Sequence, residues 1–164
     1  MAKRRGREWC HGAVADDGDA GALTKKDFEA LARFRFGIRR YLRFSEETVR
    51  SHGLTPQQYQ LLLALKGFPG RDWATVRELA DRLLLRHHSV VELVNRAQRQ
   101  GLVERVPHPD DARAVRVQLT ADGERILGRL SALHRAELRR MDDVLALPTW
   151  NGEVSGPDPA TSSG

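Results

Sequence analysis

The chain has 164 residues, about the length of one domain, which excludes a large multidomain enzyme. Its longest apolar run, residues 61–65, is far shorter than the roughly 18 residues that a membrane span needs. A single cysteine, Cys10, excludes an internal disulfide framework and a zinc site built from several cysteines. The basic N-terminus lacks the apolar stretch of a secretory signal, so we expect a cytoplasmic protein that does not enter a membrane.

The positive charge lies in the central part of the chain. The net charge is +5, but residues 24–147 carry 23 basic and 16 acidic residues, and the two ends carry the remaining acids. Only four of the basic residues are lysines, so guanidinium groups, which suit phosphates and base edges, predominate. This composition favours a negatively charged partner, although a merely solvated basic surface also fits it.

Both ends of the chain lack hydrophobic periodicity. Residues 1–23 are rich in Gly, Ala and Asp, and residues 148–164 collect Gly, Pro, Ser and Thr, which predicts disordered tails. From Thr24 onward, apolar residues recur three and four positions apart. This spacing predicts a first helix over residues 25–52, ended by Gly53.

Three further helices are predicted before a hairpin. Thr55 stands three residues before Gln58, and Thr75 stands three residues before Glu78, which is the pattern of a capping box. The first box predicts a helix that starts at Pro56 and ends before Gly67. The second predicts a helix over residues 76–83. Apolar spacing predicts a fourth helix over residues 86–100. Its inner face holds Val90, Leu93, Val94 and Ala97.

The remaining elements are two strands and a last helix. Residues 102–106 and 114–119 are predicted to form paired strands, because the second segment alternates apolar and polar residues. The polar loop between them, residues 107–113, is predicted to form the tip of the hairpin. A final helix is predicted over residues 121–147, before Pro148. The predicted fold is mainly α with a small β-hairpin wing, the arrangement of a winged helix-turn-helix, in which the second helix of the motif enters the major groove of DNA.

Several segments, in order and spacing, resemble the MarR (multiple antibiotic resistance regulator) family of bacterial transcription factors. The resemblance covers roughly residues 25–147 and is carried by residues 54–59, 76–83, 93–96, 101–105, 111–113 and 117–120. It implies a DNA-binding lobe at about residues 54–120 and dimerisation helices at about 25–52 and 121–147. It also implies a regulator, most commonly a repressor, that binds a pseudo-palindromic operator as a homodimer and needs no cofactor.

The hairpin tip contains the family's Asp-x-Arg pattern as Asp111-Ala112-Arg113. The resemblance implies that Arg113 reaches into the minor groove of DNA, where a narrow groove concentrates negative potential and favours a guanidinium. Asp111 would orient Arg113 through a charge-assisted hydrogen bond. A second interpretation is that the two residues only hold the turn together.

The outer face of the fourth helix is predicted to meet base edges in the major groove. In one interpretation, Glu92 accepts a hydrogen bond from cytosine N4. In another, Glu92 completes a capping box with Ser89, and the helix would then begin later in the sequence. The candidate contacts are Arg86, His87, His88, Ser89, Val91, Glu92 and Asn95.

Two other chemistries have weak support in the sequence. His88 and Glu92 lie four residues apart, as metal ligands on a helix can, but no third ligand is evident nearby, so no metal site is predicted. Some relatives sense peroxide through a cysteine in the first helix, whereas Cys10 precedes that helix, which favours an inert thiol.

The first and last helices have apolar faces without another evident partner, which independently favours a dimer. Relatives usually continue into a further C-terminal helix, whereas this chain reaches Pro148. Either the interface is smaller than usual, or the first helix compensates. Many relatives bind small aromatic ligands beside these helices; aromatic residues at this spacing are also typical of a core. The candidate pocket residues are Arg40, Tyr41, Phe44, His52, Tyr59 and Leu63.

An enzyme is not expected, because neither a Gly-rich phosphate loop nor a nucleophile elbow occurs in the sequence. The alternative to DNA binding is a winged-helix module that contacts another protein. A protein-binding face would be more apolar than Arg86, His88 and Asn95 allow.

Overall fold

Six helices and three short strands follow one another along the described residues. The computed structural model describes residues 23–107 and 115–148, and residues 33–147 form one compact unit. The predicted tails therefore lie outside the described residues apart from Leu23 and Pro148. The elements are α1 (Lys25–Ser51), α2 (Pro56–Lys66), β1 (Trp73–Ala74), α3 (Val76–Leu83), α4 (His87–Arg99), β2 (Val103–Pro107), β3 (Val115–Leu119), α5 (Ala121–Arg140) and α6 (Asp142–Leu145).

Both predicted capping boxes are confirmed. At the start of α2, the Gln58 N–H donates to Thr55 Oγ1 at 3.2 Å, and the Thr55 N–H donates to Gln58 Oε1 at 2.9 Å. At the start of α3, the Thr75 N–H donates to Glu78 Oε2 at 2.8 Å, and the Glu78 N–H donates back to Thr75 Oγ1 at 3.3 Å. Each box satisfies two backbone donors that a helix start leaves without partners, so the sequence fixes where these helices begin.

The core lies between α2, α3, α4, the sheet and α5. It is made mainly of buried aliphatic side chains. Leu61, Leu62 and Leu65 of α2 are fully buried in it. The contacts between α2 and α3, α3 and α4, and α2 and α5 hold the helix-turn-helix on one hydrophobic support. The turn between α3 and α4 is made by Leu84, which is left-handed at φ +54° and donates its N–H to the Ala80 carbonyl.

The pairing of the two predicted strands is confirmed, with Pro107 in β2 rather than in the loop, and the sheet has a third strand that the sequence analysis missed. The rest of the predicted tip lies outside the described residues. The sheet order is β1-β3-β2, all antiparallel, with Arg105 opposite Val117 and Trp73 opposite Gln118. Stacked cations brace β1, since the guanidinium carbons of Arg71 and Arg116 lie 3.8 and 4.0 Å from the centroid of the Trp73 ring. Cation–π contacts of this kind stabilise the edge of the wing.

The prediction of one last helix over residues 121–147 is wrong at its end. Met141, which is fully buried, has φ −107° and ψ 9° and separates α5 from α6. Two aspartates follow it, and aspartate is a weak helix former that favours the first turn of a helix, where it faces the positive end of the dipole. A further short C-terminal helix is therefore present.

A glycine in α1 lets α6 pack closely. A Cβ at Gly37 would lie 2.7 Å from the Val144 carbonyl oxygen, which is closer than side chains pack.

The prediction for α1 is confirmed within one residue at its C-terminal end, where Gly53 has φ +79°. Among the described helices, none is both long and apolar enough to cross a lipid bilayer.

Candidate functional site

The outer face of α4 is polar and largely exposed. Val90, Leu93, Val94 and Ala97 are buried, as predicted, and this places His88, Glu92, Asn95 and Arg99 on the opposite side at helical spacing. The fixed inner face means that the outer side chains project from a rigid support. The helix can therefore present its polar face to a partner without rearranging.

The candidate residues on α4 differ in their exposure. Arg86, His87, His88 and Glu92 are exposed, whereas Ser89, Val91 and Asn95 are partly buried. The helix begins at His87, with Arg86 at the N-cap position. The interpretation of Ser89 and Glu92 as a capping box is therefore wrong, because Ser89 already lies within the first turn. Asp111 and Arg113 lie outside the described residues.

Positive charge surrounds this face. Between Val76 and Arg99, the exposed acids are Asp81 and Glu92, and Glu78 is occupied by an ion pair with Arg71. The exposed arginines in the same stretch are Arg77, Arg82, Arg86, Arg96 and Arg99. Exposed guanidinium groups around a helix create the potential that attracts phosphates and other anions.

The sequence analysis did not identify two residues of this face. Arg99 continues the outer stripe four residues after Asn95, and that spacing could have identified it. Arg105, on β2, reaches α4, where its Nη2 donates to Asn95 Oδ1 at 2.8 Å and its Nη1 donates to Gln98 Oε1. No local sequence pattern predicts such a contact, because it joins side chains of two different elements, a strand and a helix. Asn95 Nδ2 also lies 3.4 Å from Glu92 Oε1.

The described residues contain no group of three or more His, Cys, Asp or Glu side chains that could hold a metal ion. His88 and Glu92 are both exposed, and Glu92 contacts Asn95. The face is arranged for hydrogen bonding and for charge, which suits binding of a polar, negatively charged surface.

Three of the candidate pocket residues gather around a buried histidine that the sequence analysis missed. The rings of Tyr59, Phe44 and Tyr41 lie 4.5, 5.8 and 6.1 Å from the His134 ring, and Tyr59 stacks on it with 14° between the planes. His134 Nδ1 lies 2.6 Å from the Leu130 carbonyl oxygen, and its Nε2 lies 2.8 Å from Ser45 Oγ. His134 has the spacing of a core position on α5, so periodicity alone did not distinguish it.

Burial changes the acidity of the two tyrosines. It raises the pKa of Tyr59 above its usual value of 10.0, against a smaller lowering by a hydrogen bond with Ser131. Burial also raises the pKa of Tyr41, and the nearby Tyr59 adds to the effect. Both phenols therefore stay neutral and can serve as hydrogen-bond donors well above neutral pH.

The other candidate pocket residues are Arg40, His52 and Leu63. Arg40 is exposed on α1, and His52 is exposed after it, with Nδ1 2.8 Å from the Thr48 carbonyl oxygen. Leu63 lines a cleft of about 420 Å³ between α2 and α5, together with Leu127, Gly128 and Ser131. Lys66, at the rim, donates to Asp72 and Glu124 at 2.8 and 2.7 Å. The hydrogen bond with Asp72, and then that with Glu124, raises the pKa of Lys66.

Comparison with known proteins places this arrangement among transcription factors. The model of the MarR family matches residues 52–114. The HTH-type transcriptional regulator YsmB of Bacillus subtilis (strain 168) is 29% identical over 129 residues, which cover 73% of this chain and 82% of YsmB. The homoprotocatechuate degradative operon repressor of Escherichia coli is 31% identical over 81 residues, which cover 49% of this chain and 53% of the repressor.

The fold is also shared with solved structures. A MarR family protein from Bacillus stearothermophilus superposes with a TM-score of 0.63 at 26% identity, over 73% of this chain and 82% of the other. These likenesses extend beyond the helix-turn-helix to most of the described residues.

Proposed function

Because this chain belongs to the MarR family of winged helix-turn-helix transcriptional regulators, we propose that it binds duplex DNA at a specific sequence and regulates transcription in the cytoplasm. The observation that carries the proposal is the outer face of α4, where His88, Asn95 and Arg99 project from a buried apolar support. The function is one of binding rather than catalysis, in line with relatives that are named as regulators.

Base recognition falls to the polar side chains of α4. A helix fits the major groove of B-form DNA, and amide, imidazole and guanidinium groups can hydrogen bond to the edges of base pairs there. His88 and Asn95 supply donors and acceptors, and Ser89 adds a hydroxyl group. Val91 is placed at the side of the same face to contact a thymine methyl group.

Phosphate contacts set the affinity and the register on DNA. The exposed guanidinium groups of Arg77, Arg86 and Arg96 flank α4 and can neutralise phosphates on either side of the groove. The resemblance to the family adds Arg113 in the minor groove, oriented by Asp111. Glu92 opposes phosphates, so its position at the centre of the face favours a contact with a base that donates, such as cytosine through N4.

The proposed active form is a homodimer built from the first and last helices. Large apolar side chains are exposed beside the packed faces of α1 and α5: Phe36 at 55%, Leu42 at 49%, Leu133 at 41% and Leu138 at 41%. A two-fold pair of winged helices spaced by one turn of DNA matches a pseudo-palindrome. Repression is the proposed outcome, since a related protein is named as a repressor.

A small aromatic acid is the proposed effector, and the cleft between α2 and α5 is its proposed site. The cleft combines the apolar Leu63 and Leu127 with the hydroxyl of Ser131, and its size suits a small molecule. A panel of aromatic acids is expected to include one that raises the thermal midpoint and weakens operator binding. If the midpoint and the affinity ignore the whole panel, the effector proposal fails.

Three single substitutions test DNA binding itself. Replacing Arg113 with alanine will weaken binding to all duplexes and flatten the dependence of log affinity on log salt by about one unit, because one phosphate-region contact is lost. Replacing Asn95 or His88 with alanine will instead change the preferred sequence, at about 1–3 kcal/mol for each lost base contact. Fluorescence anisotropy with labelled duplexes at several salt concentrations measures both effects.

The matched control is Arg135→Ala, which removes the same charge from an exposed position on α5. It should leave affinity and sequence preference nearly unchanged. If all three variants bind like the wild type at every salt concentration, the assigned groove contacts are wrong.

A further inference from the structure

Arg105 joins the wing to the outer face of α4. It is the third residue of β2, where pairing with Val117 of β3 fixes its backbone. Its Nη2 donates to Asn95 Oδ1 at 2.8 Å, and its Nη1 donates to Gln98 Oε1. One planar guanidinium therefore holds two amide side chains that lie on the side of α4 facing the hairpin.

The chemistry of guanidinium determines how the two amides are turned. Arginine has five N–H donors and no acceptor, so Asn95 and Gln98 must each direct the carbonyl oxygen, and not the amino group, toward Arg105. The amino groups of both side chains are then directed away from Arg105. Among the described residues, Asn95 Nδ2 makes one long contact of 3.4 Å, with Glu92 Oε1, and its second hydrogen can be donated to another acceptor.

The orientation matters because an unrestrained amide can hydrogen bond either to an acceptor or to a donor on a base edge. A half-turn about the last bond of the side chain exchanges its donor and acceptor, and in water the two orientations are nearly equal in energy. Charge-assisted hydrogen bonds are stronger than neutral ones, so Arg105 favours one orientation strongly. In the major groove, guanine offers the acceptors O6 and N7, adenine offers N7 and thymine offers O4, whereas cytosine offers a donor at N4. A side chain held as a donor therefore disfavours cytosine.

We propose that Arg105 is a positioning residue that sets sequence specificity: it holds Asn95 and Gln98 as donors, so that this side of α4 favours guanine over cytosine. This inference rests on the proposed DNA-binding function. Arg105 acts through the two amides and need not touch a base itself.

The test compares the full-length wild type with Arg105→Lys, Asn95→Ala and the double variant by selection and competition binding on duplexes. Lysine keeps the charge but lacks the planar fork that spans two amides. At the position whose preference is lost in Asn95→Ala, Arg105→Lys should lower the preference for guanine over cytosine about tenfold, while the salt dependence of non-specific binding and the thermal midpoint stay unchanged. In the double variant, the lysine should cause no further loss at that position, because residues that act as one unit are not additive.

Each outcome bears on a definite claim. If Arg105→Lys lowers the affinity for all duplexes and the thermal midpoint together, with unchanged relative preferences, Arg105 is merely structural and the inference is overturned. If the wild type prefers a sequence and Arg105→Lys has the same preference at every position, the inference fails while the proposed function stands. If the wild type shows no preference at all, the proposed function fails and the inference fails with it.

Discussion

Replacing Gly123 with alanine will destabilise the protein by about 2 kcal/mol or more, since overpacking a tightly packed site costs about 1–3 kcal/mol. A Cβ at this position would lie 2.0 Å from the Leu102 carbonyl oxygen, a backbone atom that cannot rotate away. That oxygen also accepts the Thr120 N–H at 3.1 Å, and Thr120 Oγ1 caps α5 by accepting the Gly123 N–H at 3.0 Å. Relief of the clash must therefore move the start of α5 away from the wing.

Urea unfolding followed by far-ultraviolet circular dichroism, at one fixed protein concentration, measures the loss. The matched control is Gly128→Ala on the same helix, where, apart from the adjacent residues and the backbone of α5 itself, no atom of the described residues lies within 4 Å of the added Cβ. This control should raise the free energy of unfolding by up to about 1 kcal/mol, because alanine is the better helix former. Equal effects of the two substitutions would show that α5 does not pack on Leu102 as described.

Replacing Leu138 with glutamate will convert the proposed dimer into a folded monomer and lower operator affinity about 100-fold or more, since two linked half-sites gain 10²–10⁴ in avidity. Leu138 is 41% exposed beside the buried face of α5. The change therefore costs the monomer little, whereas a dimer interface would have to bury an unpaired carboxylate. Light scattering should give twice 18.5 kDa for the wild type and 18.5 kDa for the variant.

Ala132→Glu introduces the same charge at an exposed position on the side of α5 opposite its buried face, about 120° around the helix from Leu138. It should leave both the mass and the operator affinity unchanged. A variant Leu138→Glu that remains a dimer, or that binds the operator as a monomer with full affinity, would contradict the proposed interface.

Most of the fold followed from short-range chemistry. Thr55 and Thr75 cap helices through side chains only three residues away, so the sequence states these starts directly. The outer face of α4 was likewise predictable, because the spacing of its buried residues determines which side faces outward. Arg99 follows the same rule and was overlooked.

The features that escaped prediction depend on contacts between distant residues or on very short segments. β1 has two residues, too few for an alternating pattern, and is held by Trp73 stacking between Arg71 and Arg116. The break at Met141 is hidden because Leu138, Met141 and Leu145 continue the helical spacing across it. The contacts of Arg105 with α4 and of His134 with Ser45 appear only when separate elements pack together.

Selection of binding sites from random DNA duplexes tests the central claim, specific DNA binding by a dimer, most directly. Purified wild type and Arg113→Ala would be compared at two salt concentrations. We expect a pseudo-palindrome whose half-sites are one helical turn apart, bound more weakly by the variant. Binding that depends on salt but enriches no sequence would contradict the claim, and would leave a basic winged-helix protein whose partner is another protein.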